Sequence, residues 1–375
     1  MKKENRIFVD VHVLQTVPPS CVNRDDTGSP KTAVYGGVTR ARVSSQSWKH
    51  AMRLAFQDLF EKEELALRTK RVVAVVAEEI KALDPSVENA EKMAETILNN
   101  AGISTKKEKD ADESLSGALF FISRAQVKAL AELAVNEPQT LSDDLSKEEK
   151  KQAKLAAKNV LSENPGIEIA LFGRMVADDP TLNTDACAQV AHSISTHKIT
   201  NEYDYFTAVD DNAVGDNAGA AHLGTMEYNS STLYRYATVA VHELEKSLRE
   251  DTVDAVKKFI DAFVRSMPDG KQNSFANRTL PDAVMVAVRT DQPINLVGAF
   301  EKPVSASANG YVEQSAKRLA EHAKTVYADF AEEPALTLVT GSRLADLAEP
   351  QPFTSLLDSL GTELGSHLAK DGDQL

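Results

Sequence analysis

Cysteine is nearly absent from this sequence. Among 375 residues there are two, Cys21 and Cys187, which are far apart and outside any C-x-x-C spacing. That spacing excludes a zinc ribbon and argues against a disulfide framework. We therefore expect two small buried thiols in a reducing compartment.

Long hydrophobic runs are also missing. The apolar runs are shorter than the roughly 20 residues that a helix needs to cross a bilayer. The start, MKKENRIFVDVHV, is charged and lacks the apolar core of a signal peptide. These absences predict a cytoplasmic protein that does not contact a membrane.

Positive charge is the minority sign, yet one stretch lacks negative charge altogether. The chain has 42 Lys and Arg against 56 Asp and Glu, a net charge of -14, which argues against a protein that coats nucleic acid indiscriminately. At that average a 31-residue window would hold about five acids, but residues 27–57 hold none. The cations within and beside this window are Arg24, Lys31, Arg40, Arg42, Lys49 and Arg53.

The acid-free window has the composition of a phosphate-binding segment. Phosphate binding needs cations together with backbone N–H groups, which glycines and helix N-termini leave available. In GGVTRARVSSQSWKHAMR, Gly36, Gly37, Ser44 and Ser45 stand where such neutral donors are expected. The alternative is an ordinary basic loop and helix that balances acidic surface elsewhere.

A helix is predicted from Ser45 to about Arg68, with Ser44 or Ser45 as its N-cap. Its apolar side, at 100° per residue, comprises Trp48, Ala51, Met52, Ala55 and Leu59. Its polar side comprises Gln46, Lys49, His50 and Arg53. We expect the first set to be buried and the second to be displayed.

The rest of the chain alternates between strand and helix patterns without a repeat. Two-residue alternation predicts a half-buried strand in RIFVDVHVLQ, and strand character returns in IEIALFGRM, STLYRYATVAV, DAVMVAVRT and ALTLVTG. Helices are predicted over about 124–135, 242–267, 311–331 and 353–370, the first with a capping box. With residues 70–165 as a helical insertion, the pattern indicates an α+β or α/β architecture.

Aromatic residues make up only 6% of the chain, but several are grouped between residues 192 and 236. They are Tyr203, Tyr205, Phe206, Tyr228, Tyr234 and Tyr236. On a polar loop such rings suit stacking on bases or insertion between them. The alternative is an irregular connection with core rings, which the strand pattern favours for Tyr234 and Tyr236.

Histidines and acids in the same region have two interpretations. They are His192, His197 and His222 with Asp204, Asp210 and Asp211. A His pair with a carboxylate binds metals, or acts as acid and base in RNA cleavage. His-x4-His places two rings about 140° apart on a helix and on opposite faces of a strand, which favours packed or hydrogen-bonded histidines. Nucleotide-loop, zincin and nucleophile-elbow motifs are absent, so we predict no catalytic set, metal or cofactor.

Several longer blocks resemble one known family. VHVLQTVPPSCVNRDDTGSPKTAVYGGVTRARVSSQSWKHAMR resembles the N-terminal signature of the CasC-type backbone subunit of the type I-E CRISPR Cascade complex. IALFGRM, AHSISTHKI, YFTAVDD, AAHLGT, SSTLYRYA and GAFEKPV resemble later signatures in the same order. The similarity runs in blocks from about 8 to 302, and is weak or absent in 60–165 and in the C-terminal tail.

The resemblance implies an α+β fold of the RAMP type. An RRM-like (ferredoxin-like) palm would comprise 1–60 and 166–375, with a protruding thumb loop at about 200–225. A mostly helical insertion would comprise 61–165. In the family, copies stack head to tail along a guide RNA, and such non-closing contacts produce a filament. Each palm holds RNA backbone while a neighbour's thumb displaces a base.

Individual RNA contacts are implied by the same resemblance. The positions carried over as phosphate and sugar contacts are Arg24, Lys31, Ser44, Gln46, Lys49 and Arg53. Those that resemble apolar wedges or thumb residues beside the displaced base are Met175, Leu223, Phe206 and Thr207. A Lys-Gln pair near the groove is matched by Lys271 and Gln272. Two positions depart from the family, since His50 stands where we expect a full cation and Tyr205 where we expect tryptophan.

The function implied is a non-catalytic scaffold in CRISPR surveillance. Its partners would be guide RNA, target DNA through the guide, further copies of itself and other Cascade subunits. A reader of backbone and shape accepts any guide and leaves target choice to base pairing. Two alternatives remain open: a CRISPR RNA-processing endoribonuclease that uses His192 or His197, and a metabolic enzyme whose acid-free loop binds a phosphorylated small molecule.

Overall fold

The computed structural model describes residues 6–107, 113–142, 144–176, 179–207 and 223–372. Its strands are β1 (Phe8–Ser20), β2 (Thr32–Tyr35), β3 (Val38–Val43), β4 (Ala66–Thr69), β5 (Thr105–Lys107), β6 (Ser114–Ser116), β7 (Phe120–Ser123), β8 (Ala188–Val190), β9 (Ser193–Ser195), β10 (Glu202–Thr207), β11 (Leu223–Ala240), β12 (Ala283–Arg289) and β13 (Leu336–Thr340). Its helices are α1 (Ser45–Leu59), α2 (Val72–Leu83), α3 (Ala90–Asn100), α4 (Arg124–Asn136), α5 (Lys147–Ser162), α6 (Gly166–Phe172), α7 (Val241–Leu248), α8 (Thr252–Arg265), α9 (Gln272–Phe275), α10 (Val312–Asp329) and α11 (Phe353–Gly372). Within these ranges, every helix is too short or too polar to span a membrane.

The fold is mixed α+β, and the chain divides into two compact units. The sheet unit comprises Met1–Ala55, Gln189–His242 and Val253–Leu375. The helical unit comprises Phe56–Ala188 and Glu243–Thr252.

An antiparallel sheet forms the centre of the sheet unit. Its strand order is β13-β12-β1-β11-β9-β3-β2, and β10 pairs with the first half of β11. The predicted half-buried strand, β1, lies between β11 and β12 and is buried on both faces, with Asp10 and His12 as inaccessible as Val11. Both faces of this central strand are covered, so alternation along it does not mark an exposed side.

Helix α1 begins where the sequence predicts and ends earlier. The buried Ser44 is the N-cap, because its Oγ accepts the backbone N–H of Ser47 at 3.3 Å. Trp48 and Met52 are inaccessible, and the Trp48 indole donates to Ser193 Oγ at 2.9 Å. The helix ends at Leu59 and not at Arg68, because residues 66–69 pair with β7 as strand β4.

The helical unit encloses an apolar core of its own, with α2, α3, α4 and α5 around it. The predicted capping box of α4 is confirmed, since Ser123 Oγ accepts the Gln126 N–H at 3.0 Å. The strand predicted in IEIALFGRM is wrong, because residues 166–172 form α6. Ile167, Ile169 and Leu171 are all buried, and such a short apolar run has the same hydrophobicity in a buried helix as in a buried strand.

The later elements follow the sequence closely. The strands predicted in STLYRYATVAV, DAVMVAVRT and ALTLVTG are β11, β12 and β13, and α10 and α11 match the predicted helices. The single helix predicted over 242–267 is two helices, α7 and α8, with a short 3-10 segment between them. Arg249 in that segment has a φ of 49°, which an α-helix does not accommodate.

Candidate nucleic-acid interface

A tight turn presents Arg24 on the surface of the sheet unit. Asp25 Oδ1 accepts the backbone N–H groups of Thr27 at 2.9 Å and Ser29 at 3.1 Å, and the Thr27 hydroxyl at 2.7 Å. The Thr27 hydroxyl bond is the largest of the effects that lower the pKa of the Asp25 carboxyl. Arg24 itself is exposed, so the turn is fixed by its acidic residue while its cation is displayed.

Asn23 joins this turn to the start of α1. Its backbone oxygen accepts the N–H of Lys31 at 2.8 Å, and its side-chain Oδ1 accepts the N–H of Ser44 at 2.9 Å. A small cleft lies beside it. Its polar lining is Ser20, Asn23, Lys31, Arg42, Asn229 and Ser231. Asn23, Asn229 and Ser231 were not predicted as site residues, because only the fold brings Asn23 beside strand β11.

The polar side of α1 lies as the helical pattern predicts. Gln46 and His50 are exposed, and Lys49 and Arg53 are half-buried. Ser44, which the resemblance implies as an RNA contact, is not displayed in this way. It is buried, and its hydroxyl serves as the N-cap of the helix.

Arg42 and His192 meet beside the first residue of α1. Nδ1 of His192 lies 3.3 Å from Nη1 of Arg42 and accepts the backbone N–H of Ser45 at 3.4 Å. Nε of Arg42 donates to the Thr32 oxygen at 3.0 Å, which holds the guanidinium in place. Burial and then the charges of Arg42 and Lys31 lower the pKa of His192.

Two features expected to bind phosphate are structural. Arg40 is fully buried and donates to the backbone oxygens of Tyr35, Ser195 and Phe300 at 3.2, 2.8 and 2.8 Å. Gly36 and Gly37 form the two-residue turn of the β2–β3 hairpin, with φ values of 59° and 76°. Both glycines therefore supply the positive φ that a two-residue hairpin turn requires.

Lys271 lies on the Arg24 side of the sheet unit. It precedes the four-residue helix α9 and has a φ of 53°. The preceding Gly270 packs so closely that an added Cβ would lie 2.1 Å from the Val22 oxygen. Burial raises the pKa of the Cys21 thiol, the charges of Arg24 and Lys271 act to lower it, and those of Asp25 and Glu227 act to raise it. Two cations and two acids therefore lie near Cys21. Gln272 is exposed in α9.

A two-stranded ribbon carries three exposed aromatic residues. All of β10 is exposed, and it pairs with β11 from Glu202–Tyr228 to Thr207–Leu223. The exposed fractions are 66% for Tyr203, 62% for Tyr205 and 48% for Phe206. Phe206 lies over Gly224, since an added Cβ there would be 2.3 Å from its Cζ. The predicted thumb residues 208–222 lie outside the described residues.

Met175, which was predicted as an apolar wedge, is 85% exposed in the helical unit. The preceding Arg174 is buried and donates to the Leu161 oxygen at 2.7 Å and the Leu182 oxygen at 3.1 Å. Burial lowers the pKa of Arg174 to about 10. This buried guanidinium anchors the segment on which Met175 is displayed.

His197 is held as a structural histidine. It is buried, its Nδ1 lies 2.8 Å from the Lys198 oxygen, and its Nε2 accepts the Thr232 N–H at 3.1 Å. Its ring stacks on Tyr311 with centroids 3.6 Å apart. His222, Asp210 and Asp211 lie outside the described residues. In the part of the chain that is described, no three His, Cys, Asp or Glu side chains are grouped to hold a metal ion.

Comparison with known proteins identifies the family. A family model described as "CT1975-like protein" matches residues 9–360. One similar solved chain, from a structure titled "CRISPR RNA-guided surveillance complex, pre-nicking", has 31% identity, a TM-score of 0.81 and coverage of 95% of this chain and 99% of that chain. Another, titled "CRISPR RNA-guided surveillance complex", has 28% identity, a TM-score of 0.73 and the same coverage. A comparison with curated proteins gave no match.

The family match spans both units and nearly the whole chain. It includes the weakly similar residues 60–165 as well as the blocks that carry the sequence resemblance. The resemblance to the CasC-type subunits of type I-E Cascade is thereby confirmed, and the chain belongs to the CT1975-like protein family.

Proposed function

We propose that this protein is a non-catalytic backbone subunit of a CRISPR RNA-guided surveillance complex, where it binds guide RNA through the phosphates. The observation that carries the proposal is the basic surface of the sheet unit. There an acid-free segment presents Lys31, Arg42 and the polar side of α1, and Arg24 and Lys271 lie near Cys21. The solved chains that it matches along their whole length belong to complexes of that description.

The strand order supports an RRM-like palm. A ferredoxin-like βαββαβ unit has its four strands in the spatial order 4-1-3-2. Here β12, β1, β11 and β9 lie in that order, with α1 between β1 and β9 in sequence and α8 between β11 and β12. We propose that this unit is the palm and that the helical unit is the fingers-like insertion.

The β10–β11 ribbon supports a thumb that displaces bases. Aromatic side chains stack on any base, at about 1–3 kcal/mol per base, without reading its identity. Tyr203 and Tyr205 are two residues apart on an exposed strand and share one face, whereas Phe206 lies on the other. The ribbon therefore presents aromatic rings on both faces. Phe206, Thr207, Leu223 and the exposed Met175 stay our candidates for the residues beside a displaced base.

The geometry does not favour the endoribonuclease alternative. Both ring nitrogens of His197 are engaged by the backbone in a buried site, so this ring is not positioned to exchange a proton with RNA. Nδ1 of His192 is engaged by Arg42 and Ser45. We therefore assign His197 a role other than general acid or base, whereas only Nε2 of His192 is left to face RNA.

The test is co-expression of this chain with the other subunits of a type I-E Cascade complex and a CRISPR array. We expect a tagged chain to recover intact, guide-length RNA in an assembly with several copies of the chain. Removal of two cations in Lys49→Ala/Arg53→Ala should lower the RNA recovered at least tenfold, since each charged contact to phosphate contributes about 1.5–3 kcal/mol.

A matched control removes two lysines from exposed helical positions of the helical unit, in Lys81→Ala/Lys92→Ala. This variant should recover as much RNA as the wild type. Purification of the wild-type chain with its partners but without RNA would refute the proposal. Cleavage of the guide precursor that disappears in His192→Ala would instead favour the endoribonuclease.

A further inference from the structure

His192 is held in one orientation at the edge of the basic surface. The residue before it donates its backbone N–H to the Tyr236 oxygen at 2.9 Å, and Ser193 after it pairs with Val43 of β3. The imidazole itself is exposed. Its backbone is therefore fixed on both sides while its ring faces solvent beside Arg42.

The contacts at Nδ1 determine which nitrogen carries the proton. Both groups that approach Nδ1, the Ser45 N–H and Nη1 of Arg42, are donors with no acceptor capacity. Nδ1 must therefore provide the lone pair, and in the neutral ring the proton lies on Nε2. Nδ1 accepts the first N–H of α1, and Nε2–H is then a donor that faces solvent. The ring therefore presents a hydrogen-bond donor at the positive end of the helix dipole.

We propose that Nε2–H of His192 and the guanidinium of Arg42 bind one phosphate group of the guide RNA as a pair. This inference rests on the proposed function and adds two residues to the contacts that the family resemblance implies. Arg42 supplies the charge and a rigid fork of donors, one of which is fixed by the Thr32 oxygen. His192 supplies a neutral, oriented donor. Lys31, which acts electrostatically on the same ring, lies beside the pair.

The neutral state of His192 gives the pair a distinctive chemistry. Burial and the adjacent Arg42 and Lys31 lower the pKa of His192, so the free ring is uncharged at pH 7. The groups that face it are Arg42 from β3, Lys31 from the preceding loop and the first N–H of α1. A neutral donor displaces no counterion, so its loss weakens RNA binding without changing the salt dependence.

Two conservative substitutions separate a phosphate contact from a purely structural role. In His192→Asn the amide oxygen occupies the place of Nδ1 and still accepts from Ser45, but the outer donor is gone. In His192→Gln the amide nitrogen occupies the place of Nε2 and restores the outer donor, but the acceptor for Ser45 is lost. A structural ring would be replaced better by Asn, and a phosphate-binding ring by Gln.

The measurement is the affinity for a guide-derived RNA oligonucleotide as a function of salt at pH 7.5, with unfolding by urea to check each variant. We expect His192→Asn to weaken binding about tenfold with an unchanged salt slope, as one lost hydrogen bond to a charged group predicts. His192→Gln should stay within about threefold of the wild type. Arg42→Gln should both weaken binding and reduce the slope by about 0.7, the value for one phosphate on a single strand.

The outcomes distinguish this inference from the function on which it rests. If the wild type binds RNA but His192→Asn binds equally well, or better than His192→Gln, the ring only caps α1 and the inference is wrong. Tighter binding of wild type at pH 6 that disappears in His192→Asn would mean that the ring binds as a cation, which also overturns it. If the wild type does not bind guide RNA, the proposed function fails and the inference fails with it.

Discussion

At the scale of single residues, a buried pair on β1 couples the fold to pH. Asp10 is inaccessible, and its two oxygens accept the Tyr236 hydroxyl at 2.9 Å and the Ile294 N–H at 2.8 Å. Burial nevertheless outweighs these bonds and raises the pKa of Asp10 to about 6. Two residues on, Nδ1 of His12 lies 2.8 Å from the Tyr234 hydroxyl, and burial lowers the pKa of His12 to about 3.

These two shifts act on stability in opposite directions. Between pH 4 and 6 the folded state holds the Asp10 proton and the unfolded state does not, so stability falls as pH rises. Over the same range the unfolded state protonates His12 and the folded state does not, so stability rises. In the wild type the two contributions nearly offset each other.

Substitution of either residue should uncover the other contribution. For Asp10→Asn we expect the free energy of unfolding, relative to wild type, to rise by about 2 kcal/mol between pH 4 and 6, because the Asp10 pKa of about 6 leaves the group half protonated at the upper limit. For His12→Gln the same difference should fall over that range. The measurement is urea unfolding of the three proteins at matched pH values, and two flat differences would show that neither group is shifted.

Arg40 and Arg42 show why residue roles were only partly predictable. They are two positions apart on β3, and the sequence counts both as cations of a phosphate-binding segment. Arg40 instead binds the oxygens of Ser195 and Phe300, which are 155 and 260 residues away in sequence. No local pattern contains such partners, whereas the exposed side of α1 follows directly from helical periodicity.

At the scale of elements, the β2–β3 hairpin depends on its two glycines in different ways. Both have a positive φ, which costs other residues about 1–2 kcal/mol. A Cβ at Gly36 would lie 1.7 Å from the Glu301 oxygen, whereas a Cβ at Gly37 would meet nothing within 4 Å. Only the first glycine is therefore required by close packing as well as by conformation.

The matched substitutions Gly36→Ala and Gly37→Ala isolate that packing contribution. We expect Gly37→Ala to lower the free energy of unfolding by about 1 kcal/mol, the cost of the conformation alone. Gly36→Ala should lower it by at least about 3 kcal/mol, because the hairpin or the backbone at Glu301 must move as well. Equal losses in urea unfolding would mean that the hairpin does not pack against Glu301 in solution.

Elements were predicted well where periodicity decides the structure and poorly where composition is ambiguous or distant pairing decides it. The 13-residue β1 and the 18-residue α10 carry clear periodicities and were found close to their predicted positions. The seven residues of α6 are apolar on nearly every side, so their composition does not separate helix from strand. The end of α1 depends on pairing between β4 and β7, which lie more than 50 residues apart, and the sequence of the helix does not contain that information.

At the scale of the whole molecule, an acidic protein binds a polyanion only if its charge is segregated. The chain carries a net charge of -14, and like charges farther away than about 8–10 Å are largely screened at cellular salt. On the proposed function, binding would then be governed by six cations of the sheet unit that we propose as RNA contacts. These are Arg24, Lys31, Arg42, Lys49, Arg53 and Lys271.

If these cations bind phosphates, the salt dependence of RNA binding should report how many of them do so. If each neutralises one phosphate of a single strand, the plot of log K against log salt should have a slope of about -4, from about 0.7 per contact. The measurement uses an RNA oligonucleotide short enough for one copy of the chain, so that contacts between copies do not contribute. Lys81→Ala/Lys92→Ala in the helical unit should leave the slope unchanged, whereas Lys49→Ala/Arg53→Ala should bring it to about -3. A slope near zero, or equal effects of the two double variants, would mean that RNA is bound diffusely and not by this surface.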